Sequence, residues 1–111
     1  MTKNKIEKIA EELGWTVTWD NNNDGTKFVN FSQYSPAGQD FSVELEYKTL
    51  GEIEDRLREY YDSYDPSEEA YYWLDHHGHG KNGAPYEMID VYNDMKACKE
   101  MIDKLAYAIK E

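Results

Sequence analysis

A chain of 111 residues with 23 acidic and 12 basic side chains, net charge −11, has room for a single domain with one modest core. That balance excludes nucleic acid and anionic membrane as direct ligands, which need a cationic footprint, and favours a basic protein partner, a cation, or plain solubility. One cysteine, Cys98, permits no internal disulfide, and neither a signal region after Met1–Lys5 nor a run of roughly 18 apolar residues is present, so a soluble protein of the reducing cytoplasm is expected.

Hydrophobic residues make up 40% of the chain and aromatic residues 14%, enough for a folded core. Ile6, Ile9, Ala10 and Leu13 recur at helical spacing and predict a helix over 4–13, with Asn4 and Glu7 at capping-box spacing and Gly14 closing it. Trp15-Thr16-Val17-Thr18-Trp19 is β-branched or aromatic throughout and predicts a first strand with Trp15, Val17 and Trp19 on one face. Asp20 to Gly25 reads as a loop, and Lys27 to Gln33 as the returning strand. In Ser35-Pro36-Ala37-Gly38, Pro36 presets φ and Gly38 accepts φ > 0, so a turn follows; Phe41, Val43, Leu45 and Tyr47 then alternate with Ser42, Glu44 and Glu46. The three strands form an antiparallel meander.

Beyond the hairpin the chain reads as helix. Thr49 with Glu52 opens a helix whose stripe is Leu50, Ile53, Leu57, Tyr60 and Tyr64. Asp65, Pro66 and Glu68 fit the N-cap, N1 and N3 positions of a third helix, with Ala70, Trp73, Leu74 and His77 inward and Gly78 ending it. A Gly-rich loop spans Gly78 to Ala84. Pro85 starts the longest helix, about 86–109, with Met88, Tyr92, Met95, Cys98, Ile102, Leu105 and Ile109 as its stripe. Strands grouped together and helices grouped together predict an α+β fold of one helix, a three-stranded antiparallel meander and three helices, with the last helix covering the sheet.

Three features of the sequence bear on chemistry. Asp75, His76, His77 and His79 place three imidazoles and a carboxylate within five residues, a set able to bind a transition metal and support a metal-dependent hydrolase. No pair of these histidines has the i, i+4 spacing that puts both rings on one helix face, and a helix end followed by a glycine turn is the preferred account of them. The Asp-His-His triplet resembles that of the phosphoesterase family named for it, but no histidine lies upstream. Gly78-x-Gly80-x-x-Gly83 follows a helix and not a strand, which removes a dinucleotide reading. Cys98 lies on an apolar stripe, where a buried, inert thiol is expected. No catalytic residue, metal ligand or cofactor is assigned.

Charge is the stronger signal. Residues 44–75 hold eleven acids (Glu44, Glu46, Glu52, Glu54, Asp55, Glu59, Asp62, Asp65, Glu68, Glu69 and Asp75) against Lys48, Arg56 and Arg58. On the outer faces of one strand and two helices they are expected to form a continuous negative field that meets a cationic groove. Tyr61, Tyr71 and Tyr72 fall beside or off the core stripes and are candidate apolar anchors. A solvated acidic surface serving solubility is the alternative.

The segment Phe31-Ser32-Gln33-Tyr34-Ser35-Pro36-Ala37-Gly38-Gln39-Asp40-Phe41, with Tyr61-Asp62-Ser63-Tyr64-Asp65-Pro66 after it, resembles one found in small acidic proteins of bacterial phages and mobile elements. That resemblance implies a protein acting in the host bacterial cytoplasm with no enzymatic role. In such a setting small acidic proteins block defence nucleases, as anti-CRISPR inhibitors or anti-restriction DNA mimics. The expectation is therefore a non-enzymatic inhibitor whose partner is a basic nucleic-acid-binding protein such as a CRISPR effector or restriction enzyme. The alternatives are a structural or regulatory interaction module, homodimer included, and the metal-dependent hydrolase.

Overall fold

The computed structural model describes residues 1–110. In chain order the elements are α1 (Lys3–Glu12), β1 (Thr16–Asn21), β2 (Lys27–Tyr34), β3 (Asp40–Tyr47), α2 (Ile53–Ser63), α3 (Pro66–Tyr72) and α4 (Met88–Ile109), with a short 3-10 turn at Leu50–Glu52 leading into α2. The fold is α+β, and its sheet is an antiparallel meander in the order β1-β2-β3.

Strand register follows from side-chain alternation, since a slip of one residue would turn every apolar group to water. Val17 stands opposite Phe31, which stands opposite Val43; Trp19, Val29 and Leu45 form the next row. In β3 burial alternates at every residue from Asp40 to Tyr47. The buried Trp15 meets Phe31 edge-on at 6.3 Å and Phe41 at 5.9 Å, and Phe41 meets Tyr64 at 5.9 Å, so aromatic pairs fasten sheet to helix. The opposite face of the sheet carries Thr18, Asn30 and Glu44 in one row and Asp20, Phe28 and Glu46 in the next. α1 lies by β1, α2 by β3, and α4 touches α1, α2 and α3. One continuous core joins all these elements.

Local chemistry moves several boundaries. Thr2, and not Asn4, caps α1, accepting from the Lys5 amide; Glu7 instead accepts from the Trp19 indole N–H. Leu13 is exposed: α1 ends at Glu12, Leu13 is its C-cap, and the chain then turns at Gly14, where φ is +92°. β1 runs on through Asp20 and Asn21, residues expected in the loop. Glu52 does take up the amides of Thr49 (2.7 Å) and Lys48 (3.0 Å), which hold its carboxyl below the ordinary carboxylate range. α3 stops at Tyr72, six residues before Gly78, and α4 starts at Met88. Met88 is 57% exposed and so leaves the predicted stripe. No helix among the described residues is long and apolar enough to cross a membrane.

The β2–β3 hairpin is locked from across the molecule. Ser35 N–H donates to the Gln39 carbonyl (2.7 Å) and Gly38 N–H to the Ser35 carbonyl (2.9 Å), with Gly38 at φ +89°. The Ser35 hydroxyl donates to Asp94 of α4 at 2.6 Å, and the Ala37 amide donates to the other oxygen of that carboxylate at 2.9 Å. Gln39 N–H donates back to Ser35 Oγ at 2.9 Å, while its side-chain amide donates to the Gly83 carbonyl at 2.7 Å. Ser35, Gln39 and Asp94 are all buried, and no buried side-chain oxygen or nitrogen among the described residues lacks a partner. A polar group this deep is tolerated only when satisfied in this way.

Cys98 lies fully buried on the core face of α4. Burial, with the nearby Asp94 charge, pushes its thiol up to about 12. The thiol therefore contributes stability in full below its unfolded pKa of about 8.5 and loses it as pH rises toward the folded value. Burial also raises Tyr47, Tyr60 and Tyr64 above the ordinary tyrosine value. Their loss runs in the same direction and begins about one pH unit below 10, so the interval from about 8 to 9 is governed mainly by the thiol. Unfolding free energy should fall there by on the order of 1 kcal/mol per pH unit, and Cys98→Ala should flatten that slope. Urea denaturation at a series of pH values measures both; equal slopes in the two proteins would refute the assignment.

Candidate partner-binding surface

The predicted acids divide between two neighbourhoods. Glu44 and Glu46 project from the open face of β3, away from the core. A groove of about 720 Å³ runs from there to α2, lined by the acids Asp24, Glu44, Glu46 and Glu59 but also by Lys27, Lys48 and Arg56. Arg56 lies 3.1 Å from Glu59 and 3.6 Å from Glu52. The continuous negative field expected over residues 44–75 is thus interrupted here by cations on neighbouring strands and on α2 itself. Arg58 pairs with Asp103 of α4 at 2.6 Å and ties two helices together. Glu54 and Asp55 stand in the first turn of α2, where the helix dipole favours them.

The second neighbourhood lies where α2 passes into α3. Asp62 lies in the last turn of α2, Asp65 caps α3 by accepting from the Ser67 amide at 2.9 Å, and Glu68 and Glu69 occupy the first turn of α3. Among the described residues none of these four carboxylates is held in an ion pair. Partial burial, together with Glu68 and Asp65 close by, raises the Glu69 carboxyl above its ordinary value. Like charges are therefore crowded at this end of α3.

Large apolar side chains lie exposed on the same helix and across from it. Tyr71 is 75% exposed, Tyr72 65%, Met88 57% and Ile89 61%. A cleft of about 310 Å³ separates α3 from the start of α4, lined by Ser67, Ala70, Tyr71, Leu74, Met88, Ile89 and Tyr92. Of the three tyrosines singled out in the sequence, only Tyr71 and Tyr72 are open to solvent. Tyr61 is half-buried against the core, and Lys99 Nζ sits 4.7 Å from its ring centroid. Met88 and Ile89 extend this apolar surface. Their signal in the sequence was the apolar pair beside the loop, but a match to the helical period assigned Met88 to the core.

The segment between α3 and α4 is built by short-range hydrogen bonds. Asp75 accepts from the amides of His77 (2.8 Å) and His79 (3.1 Å), and its own amide donates to the His79 carbonyl (2.8 Å). The two amides hold the Asp75 carboxyl below the ordinary carboxylate range. His76 and His77 are exposed, and the His79 ring stacks on Tyr86 at 4.0 Å. Asp75 is thus a turn-forming residue, and His77 lies beyond the end of α3 and not on its inner side. Among the described residues no group of three or more His, Cys, Asp and Glu side chains is placed to hold a metal ion. The glycines have local uses: Gly78 and Gly83 take positive φ, and a Cβ on Gly80 would stand 1.7 Å from the Pro85 carbonyl oxygen.

Comparison with protein-family models, curated proteins and solved structures gives no match for this chain.

Proposed function

We propose that this chain is a non-enzymatic inhibitor that binds a basic, nucleic-acid-handling protein, a CRISPR effector or restriction enzyme being the class that a mobile-element setting together with the acidic charge points to. One observation carries the reading: Asp62, Asp65, Glu68 and Glu69 stand without cationic partners among the described residues, on and next to a helix that also exposes Tyr71 and Tyr72. A cluster of like charge raises its own energy and is relieved by a cationic surface. Exposed tyrosines add apolar contact at small entropic cost. Together they suit a partner whose groove evolved to hold phosphates.

The test is capture from bacterial lysate on the immobilised chain, then reconstitution with the purified partner and a labelled nucleic acid. The partner is expected to bind nucleic acid and to lose it to this chain. Affinity should drop steeply as salt rises, because surface charge pairs are screened beyond about 10 Å at 0.1 M salt. Glu68→Gln with Glu69→Gln should weaken binding about five- to tenfold, chiefly through association rate. A partner that keeps its nucleic acid, or an affinity indifferent to salt, would exclude the inhibitor reading.

A further inference from the structure

We infer that the cleft between α3 and the first turns of α4 seats a cationic amphipathic helix of the partner, an inference that rests on the reading of this chain as a binder of basic protein. The cleft floor is apolar, formed by Ala70, Tyr71, Leu74, Met88, Ile89 and Tyr92. Tyr71, Met88 and Ile89 are each more than half exposed, so the fold itself does not use most of their surface. Neighbouring exposed apolar side chains rimmed by polar residues offer a surface for a partner. A groove between two helix segments accepts a third helix through its apolar ridge.

Dimensions limit the contact. α3 has seven residues, so its wall is about 10 Å long and faces roughly two turns of a docked helix. The visiting helix would insert apolar side chains at i, i+3 or i+4, and i+7.

Charge selects what flanks that ridge. Residues 62–95, which supply both walls and the turn between them, contain eight acids and a single base, Lys81. Asp94 is buried beneath the hairpin, but Asp62, Asp65, Glu68, Glu87 and Asp90 are exposed. The nearest base further along α4, Lys96, has its ammonium 5.7 Å from the Tyr92 ring centroid, at the end of the cleft. Lysines or arginines beside the ridge therefore meet opposite charge along most of the cleft. A second copy of this chain would bring acids against acids, so self-association through this face is disfavoured.

A nuclear magnetic resonance titration decides it, using a synthetic peptide of about 18 residues with leucine on one helical face and lysine on the other. Saturable amide shifts are expected at Ala70, Tyr71, Leu74, Ile89 and Tyr92. A peptide with glutamate in place of lysine should not bind. Tyr71→Ala with Ile89→Ser should weaken peptide binding tenfold or more, on the order of loss seen for interface anchors, with melting temperature unchanged because both side chains are exposed. Shifts confined to the β3–α2 groove, or binding indifferent to the double substitution, would overturn the inference. So would cleft resonances that move with protein concentration alone, accompanied by dimers in light scattering. If the purified partner is inhibited through Glu68 and Glu69 but not through Tyr71 and Ile89, the cleft assignment fails alone. If the peptide seats in the cleft but no nucleic acid is displaced from the captured partner, the inhibitor reading fails alone.

Discussion

Replacing Asp94 by alanine is expected to lower the unfolding free energy by about 3 kcal/mol, the loss of two hydrogen bonds to a charged acceptor. The carboxylate accepts from the Ser35 hydroxyl and the Ala37 amide, and it is 5% exposed. Alanine leaves the buried hydroxyl facing apolar surroundings with its other contact, the Gln39 amide, already a donor to it. Asparagine keeps a side-chain oxygen for Ala37 and a hydrogen-bonding group for Ser35, so Asp94→Asn should cost only about 1 kcal/mol. Ser35→Ala combined with Asp94→Ala should be less harmful than the sum of the two, because each removes the partner of the other. Guanidinium denaturation with hydrogen exchange at residues 34–40 measures the effect. An Asp94→Ala protein within about 0.5 kcal/mol of the parent would show that the tie contributes little.

Phe31→Ala should be the most damaging single truncation, at about 3–5 kcal/mol for a fully buried aromatic. Phe31 lies at the centre of the central strand with no exposed surface, between Val17 and Val43 in register. Its ring receives Trp15 edge-on. Alanine would remove that contact and open a cavity between sheet and helices which rigid neighbouring strands cannot collapse to fill. Phe31→Leu should retain more than half of the lost stability, because it restores most of the volume. Thermal and chemical denaturation of the pair provide the check; a Phe31→Ala protein as stable as Phe31→Leu would mean that the cavity closes.

These two sites differ in how far the sequence exposes them. Phe31 belongs to a period-2 pattern with Val29, and its burial follows from local alternation. Asp65-Pro66 likewise states a helix start in local terms, and the observed cap agrees. Asp94 does not announce itself, because its partners lie 59 and 57 residues away and an acid on a helix ordinarily faces water. The end of α3 was hidden for a related reason. Trp73 and Leu74 continue the apolar spacing, but Asp75 takes up two backbone amides that a longer helix would have used itself. Periodicity also assigned Met88 to the core and could not rank Tyr61 against Tyr71, since exposure depends on which element packs overhead. The total charge of residues 44–75 was legible, whereas its division by Arg56, Lys27 and Lys48 depends on how the strands and α2 come together.

The hairpin's side chains serve the architecture of the molecule. Ser35, Gly38, Gln39 and Phe41 are each committed to holding the turn against α4, the Gly83 loop or the core. The recognisable signature is therefore a clasp, and it is silent about the binding target. Chains that carry the same clasp should also carry an acid at the matching level of their last helix. Their α3-to-α4 walls, free of that obligation, can diverge in sequence without loss of the fold.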